Sequence, residues 1–382
     1  MTAFGGASRL DALRRLLEGL YDSPVTVARV ERLEPWAVAR VWLDATPALP
    51  PSVVVKWVPD GERDARTAAW RLRTECAALR FLAEDLGVQL APQVIGEDTG
   101  GRFVVLEDLA PRVALDRLLR RDGAAAHRER LAAFAEARGA LSAATAGRAE
   151  GYHARLGLTA LDAAADRAGR LAGLRGSAVE QAAALGAALG GRSLAELDGA
   201  LGVLADPGPF LALSNGDAEA NNVLLYASGP ARARLIDFEF AGYAHALADA
   251  VCLYVPGPAW LTVGDPAATG LADAYRRALA RGIPAAEDDR RYSDGLAAAC
   301  AAWALRRLQR FATLDARTPG DHSRLQLVAT LDATAGTART HQALPHLTGW
   351  FWGVAELLRR RWPDADRDLA DPAAFPPYAV RR

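Results

Sequence analysis

Lysine is almost missing from this chain. Of its 45 basic residues only Lys56 is a lysine, and every other positive charge is an arginine. Methionine occurs once. The three cysteines, Cys76, Cys252 and Cys300, are odd in number and far apart, which argues against a disulfide framework and a zinc site alike. The six histidines show no His-x-x-x-His or similar metal spacing. No charge of one sign dominates: a net charge of −1 gives no electrostatic footprint for nucleic acid, and no basic run is long enough for a polyanion. Long apolar runs are also lacking. Ala-rich stretches such as Gln181 to Gly190 are too short to span a bilayer. Charges spread through Met1 to Tyr21 set that segment apart from a secretory signal. The expectation is a soluble, cytoplasmic globular protein with no nucleic-acid or membrane partner. Its 382 residues, about half of them hydrophobic, allow two sizeable lobes.

Against that background Lys56 is conspicuous. It ends the apolar run Pro51-Ser52-Val53-Val54-Val55-Lys56, where an ammonium is costly unless a partner claims it. A lysine stem buried under a solvated amine is the commoner arrangement. A compact point charge between phosphates is the other, for which the planar guanidinium is a poor substitute. Further on, Leu213-Ser214-Asn215-Gly216-Asp217 leads to Asn222, and a short hydrophobic hairpin then leads to Leu235-Ile236-Asp237-Phe238-Glu239. One carboxylate to orient a hydroxyl, with a neutral and an anionic oxygen ligand for Mg²⁺, is what phosphoryl transfer requires. Asp-x-x-x-x-Asn by itself recurs by chance, and Asn-Gly-Asp also caps turns. The hairpin and the second Asp make the combination specific.

The pattern along the chain is α+β. A helix at Leu10–Leu20 precedes strands at Val25–Leu33, Ala37–Leu43 and Ser52–Val58. A helix from about Asp64 to Leu86 follows, then strands at Pro92–Glu97 and Arg102–Glu107. Beyond Pro111 the composition turns to Ala, Leu and Arg at helical spacing. A β-rich island at Phe210–Asp237 interrupts it, with a hairpin of Asn222–Tyr226 and Arg232–Ile236. Residues 147–206 read as a helical insertion, and helices resume from Ala246 to about Arg361.

A small antiparallel sheet bearing one Lys, a helix, a linker and a helical lobe with a polar loop resembles the aminoglycoside phosphotransferase and choline kinase family of small-molecule kinases. The residues that carry the resemblance are Val53–Lys56, Thr74–Gly96, Phe103–Leu109 and Leu213–Asp249. It implies a protein-kinase-like two-lobe fold: a nucleotide-binding lobe at 1–106, a hinge at 107–111 and a helical lobe at 112–382. It further implies that Lys56 meets the phosphates of ATP or GTP and that Glu75 fixes Lys56, with Glu84 and Glu62 as fallbacks. The Glu107 carbonyl and Leu109 amide would meet the base. Asp217 would be the catalytic carboxylate, and Asn222 and Asp237 would hold Mg²⁺. Asp249 would support the catalytic loop, or equally stabilise a helix start.

Two departures keep an alternative open. Asn215 stands where the family usually has His, and the turn Glu34-Pro35-Trp36-Ala37 has no glycine to wrap phosphates. A catalytically silent, kinase-like nucleotide-binding protein is therefore the second expectation. A protein kinase is disfavoured, since no peptide-docking signature follows Asp237. The expected acceptor is a hydroxyl of an antibiotic, a sugar or an amino alcohol. Acidic and basic residues nearly balance from Asp206 onward, so nothing selects a polycation. Trp260, Trp303, Trp350 and Trp352 at helical spacing read as core before they read as a binding wall. Replacing Lys56 or Asp217 by Ala is expected to lower phosphoryl transfer by orders of magnitude while leaving folding intact.

Overall fold

Strand periodicity explains the first half of the molecule. A computed structural model describes residues 7–33, 37–58, 65–98, 100, 102–258, 260–320, 322–367, 371 and 374–378. The glycine-free turn at 34–36 and the fallback Glu62 lie outside the described residues. Helix α1 (Ala7–Tyr21) leads to β1 (Val27–Arg32), β2 (Val38–Leu43) and β3 (Ser52–Trp57), then helix α2 (Ala65–Arg80), β4 (Val94–Glu97) and β5 (Phe103–Glu107). The five strands form one antiparallel sheet in the order β1-β2-β3-β5-β4.

Side chains alternate across a strand. Val53, Val55 and Trp57 therefore join Ala39, Val41, Phe103 and Val105 beneath Leu13 and Leu17 of α1. Val54, Val104 and Leu106 face the other way, into the core that contains Cys76 and Leu79 of α2. Lys56 shares the parity of Val54, so the sheet aims its ammonium at α2. The expected helix to Leu86 differs in its last turn, which widens at Phe81–Asp85 so that Leu86 N–H donates to the Phe81 carbonyl at 3.2 Å. Here Phe81 packs on Tyr152, ring centroids 5.9 Å apart, and Arg155 grips both Glu84 and Asp85. Glu84 is thus committed away from Lys56.

The chain leaves the sheet through Glu107–Pro111, with a cis Ala110–Pro111 peptide. Strand β6 (Val113–Ala114) precedes α3 (Leu115–Asp122), α4 (Arg128–Thr145), α5 (Ala149–Leu156), α6 (Ala160–Ala184) and α7 (Gly191–Ala205). Residues 147–206 are accordingly helical, and Leu197, Ala200 and Leu204 of α7 lie in the main core. Short strands β7 (Leu211–Ser214), β8 (Val223–Leu225), β9 (Arg234–Leu235) and β10 (Gly242–His245) come next. They pair as β6-β8-β9 and β10-β7. Helices α8 (Val251–Tyr254), α9 (Leu271–Ala280), α10 (Asp289–Leu308), α11 (Phe311–Asp315), α12 (His322–Thr340) and α13 (Pro345–Arg361) complete the larger, mainly helical region. Asp288 caps α10 by accepting from the Arg290 and Arg291 amides, so the acidic run there is a helix start. Trp260 is buried, and Trp303, Trp350 and Trp352 pack against the core. No helix among the described residues is long and apolar enough to cross a membrane.

Candidate active site

Three elements bring the first cluster together. Lys56 Nζ donates to Glu75 Oε1 at 2.6 Å and to Asp237 Oδ1 at 2.8 Å. Glu75 is 1% exposed on α2, and its Oε1 also accepts from the Phe238 amide at 3.4 Å. The helix thus holds both the lysine and the backbone just after Asp237. Burial by itself would lower the Lys56 ammonium. The Glu75 and Asp237 carboxylates outweigh it and hold the group above the ordinary lysine range. Asp237 has φ +64°, a left-handed conformation that a non-glycine residue adopts at a cost of about 1–3 kcal/mol. That strain turns the carboxylate back toward β3. Glu239 is half-buried two residues on, and burial followed by the charge of Asp237 raises its carboxyl.

The second cluster sits at the end of β7. Gly216 has φ +80°, and a Cβ there would stand 2.3 Å from the Phe240 carbonyl, so the turn before Asp217 requires glycine. Asn222 Nδ2 donates to the Asp217 carbonyl at 3.0 Å and to Asp217 Oδ2 at 2.9 Å. Asn222 Oδ1 accepts from Asn221 Nδ2 at 2.8 Å. Asn221 itself is exposed and Asn222 buried, in keeping with the choice of Asn222 between the two. The two clusters join through the hairpin: Ile236 N–H donates to the Asn222 carbonyl at 3.0 Å. Asp217 is raised by burial; the Asn222 hydrogen bond opposes this, the charge of Asp237 adds to it, and Arg138 opposes it.

The donor set suits a hard divalent cation. Asp237 offers a carboxylate and Asn222 an amide oxygen, and magnesium takes one or two protein oxygens plus phosphates and water rather than a protein cage. Among the described residues no group of three or more His, Cys, Asp or Glu is placed to hold a metal ion.

At the linker, Leu109 is buried and the Glu107 amide donates to the Gln93 carbonyl at 2.9 Å. The residue between them escaped the sequence reading. Asp108 accepts from Arg40 Nε at 2.7 Å, Arg40 Nη2 at 3.2 Å, Ser52 Oγ at 2.6 Å and the Ala110 amide at 3.0 Å. It pins the linker to β2 and β3. Two further residues were missed. Arg138, fully buried on α4, donates to Asn215 Oδ1 at 2.6 Å. Its signal was present in the sequence: it falls on the helical stripe of Leu131, Phe134, Leu141 and Thr145, where a charge needs a reason. Glu219 is 5% exposed with Oε2 lacking a hydrogen-bond partner, and burial, then the charge of Asp217, push it up to about 8. Nothing in the local sequence marks it.

Asn215 does brace the loop in its own way. Its Oδ1 also accepts from the Asp217 amide at 3.3 Å, and its Nδ2 donates to the Ile236 carbonyl at 3.0 Å. Asp249 is buried, and its Oδ1 accepts from Ser214 Oγ at 2.5 Å, so it faces the loop. A lysine on the third strand paired to a glutamate on the following helix, with an Asp beside them, is the protein-kinase-like arrangement.

Solved structures similar to this chain include choline kinase LicA from Streptococcus pneumoniae, at 14% identity and TM-score 0.47, covering 86% of this chain and 100% of that one. Others are an aminoglycoside-3'-phosphotransferase of type VIII, at 21% and 0.40, covering 73% and 93%, and a choline/ethanolamine kinase family protein from Mesorhizobium loti, at 16% and 0.38, covering 92% and 98%. No curated protein matches the chain. Residues 32–292, well over half of the sequence, match the model of the phosphotransferase enzyme family known as APH, and the chain belongs to that family.

Proposed function

We propose that this protein transfers a phosphoryl group from ATP or GTP to a hydroxyl of a small molecule, with magnesium. One observation carries the reading. Residues at positions 56, 75, 217, 222 and 237 meet in two hydrogen-bonded clusters, Glu75–Lys56–Asp237 and Asn222–Asp217, joined by the bond from Ile236 to Asn222 and by Asn215, which bonds both the Asp217 amide and the Ile236 carbonyl.

In this reading residues 1–106 form the nucleotide lobe, 107–111 the hinge and 112–382 the lobe that takes the acceptor. The Glu107 carbonyl and the Leu109 amide hold the base, and Asp108 keeps that segment rigid. Lys56, steadied by Glu75, contacts the α- and β-phosphates. Asp237 and Asn222 would hold a magnesium ion, which would supply charge neutralisation at the nucleotide phosphates. Asp217 orients the acceptor hydroxyl and receives its proton late, because orientation matters more than basicity in a loose transition state. Asn222 fixes Oδ2 of Asp217 and leaves Oδ1 for the hydroxyl. The raised Asp217 carboxyl is a slightly better base than an exposed one. The acceptor is an antibiotic, a sugar or an amino alcohol.

The test is turnover of magnesium-ATP and magnesium-GTP against a panel of sugars, amino alcohols and hydroxylated antibiotics. Asp217→Ala is expected to lower kcat by about 10²–10⁴-fold with nucleotide affinity retained. Nucleotide binding by the native protein with no acceptor phosphorylated sinks the reading in favour of the silent alternative.

A further inference from the structure

A buried guanidinium is expensive, and where a protein keeps one its N–H groups show what it is for. Arg138 is 0% exposed, in the middle of α4. None of its hydrogen bonds goes to its own helix. Nη1 donates to Asn215 Oδ1 at 2.6 Å, and Nη2 donates to the carbonyls of Asp217 and Glu219, each at 3.4 Å. Asn215 extends the reach, since its Nδ2 donates to the carbonyl of Ile236, the residue before Asp237. The balancing charge is Asp249, whose Oδ2 lies 3.9 Å from Nη1. The other oxygen of Asp249 accepts from Ser214 Oγ, which in turn accepts from the Gly216 amide at 2.9 Å. One fork of donors and its counterion therefore touch residues 214, 215, 217 and 219, and reach residue 216 through Ser214 and residue 236 through Asn215.

Resting on the phosphotransferase reading above, we propose that Arg138 is a positioning residue: acting through Asn215 and the 217 and 219 carbonyls, it sets Asp217 in register with Asp237. The planar fork is essential to this role. Lysine at 138 would supply charge to Asp249 but could not bind three acceptors in one plane.

The experiment compares Arg138→Met, Arg138→Lys and Asn215→Ala with Arg130→Met. Arg130 is a buried arginine on the same helix whose Nε donates to the Tyr226 carbonyl at 2.8 Å, away from the loop. Positioning predicts kcat lowered by about 10²-fold in the first three, with KM for nucleotide within about threefold, because small misplacements of a reacting group act at that scale. Arg130→Met loses stability and keeps kcat. Asn215→Ala deletes the acceptor while leaving the buried charge paired, so it carries the test if Arg138→Met does not fold. The double variant Arg138→Met/Asn215→Ala is no slower than either single one. Recovery of kcat by Arg138→Lys, or native kcat in Asn215→Ala, overturns the assignment.

Amide hydrogen exchange over residues 213–222 of the ligand-free protein gives a second readout that needs no turnover. It rises in the loop for Arg138→Met and Asn215→Ala and stays native there for Arg130→Met. An inactive native protein defeats the phosphotransferase reading and leaves the exchange test standing. Unchanged loop exchange in an active enzyme defeats the Arg138 assignment alone.

Discussion

At the scale of single residues, the ion pair of Lys56 with Glu75 changes one expectation. Sequence alone has Lys56→Ala lowering transfer by orders of magnitude without touching the fold. In the structure Glu75 is 1% exposed and its Oε2 lacks a hydrogen-bond partner, so deleting the ammonium leaves a buried carboxylate with little else to offset it. Breaking a buried pair from one side costs about 3–5 kcal/mol. Urea denaturation is expected to show a loss of that order for Lys56→Ala and partial recovery in Lys56→Ala/Glu75→Gln. A single variant as stable as the native protein rules this out. Lys56 and Asn222 were legible because lysine and asparagine are rare in this chain, and Asp217 and Asp237 because they stand at constrained local spacings from Asn222 and the hairpin. For Arg138 the apolar stripe of its helix marked a buried charge but not its role, since its partner lies 77 residues away. Asp108 was hidden for the same reason: Arg40 and Ser52 reach it from distant strands.

Among elements, the contact of α4 with α9 governs how rigidly Arg138 is held. The two helices meet backbone to backbone. A Cβ on Gly139 would stand 2.4 Å from the Tyr275 carbonyl, and one on Gly282 would stand 2.1 Å from the Ala143 carbonyl. Alanine is ordinarily the better helix residue by about 1 kcal/mol. Gly139→Ala should nonetheless lose about 1–3 kcal/mol from overpacking, read from the urea midpoint. Gly169→Ala, on an exposed turn of α6 with open space around it, is the matched control and should gain stability. Equal gains in both variants would contradict the close approach. The five sheet strands and most helices were readable from periodicity and turn residues. The widened turn at Phe81–Asp85 was not, because it answers to Tyr152 and Arg155 in another part of the chain.

The whole molecule answers to pH through buried histidine. His245 is 4% exposed, stacks on Phe210 at 5.0 Å, and accepts from the Leu247 amide through Nδ1. Burial lowers it from 6.5 to about 4. The unfolded chain therefore binds the proton more readily than the folded one between those values. The contribution of this side chain to stability rises with pH across that window and is lost as pH falls through it, by on the order of 3 kcal/mol. The raised carboxyl of Glu219 acts with the opposite sign. His153 and His341 are lowered by burial as well and act with the same sign as His245. His245→Asn is expected to be less stable than the native protein near neutrality, with the gap between the two narrowing as pH falls from 6.5 to 4 in urea titrations. Parallel curves for variant and native protein would refute this.

The scarcity of lysine has a practical consequence. In 382 residues an amine-selective reagent finds one ε-amine, and it stands between the carboxylates of Glu75 and Asp237. An acyl-phosphate derivative of a nucleotide would write its tag on one peptide, the one that contains Lys56. Protection of that peptide by competing compounds would report occupancy directly, before any acceptor has been identified.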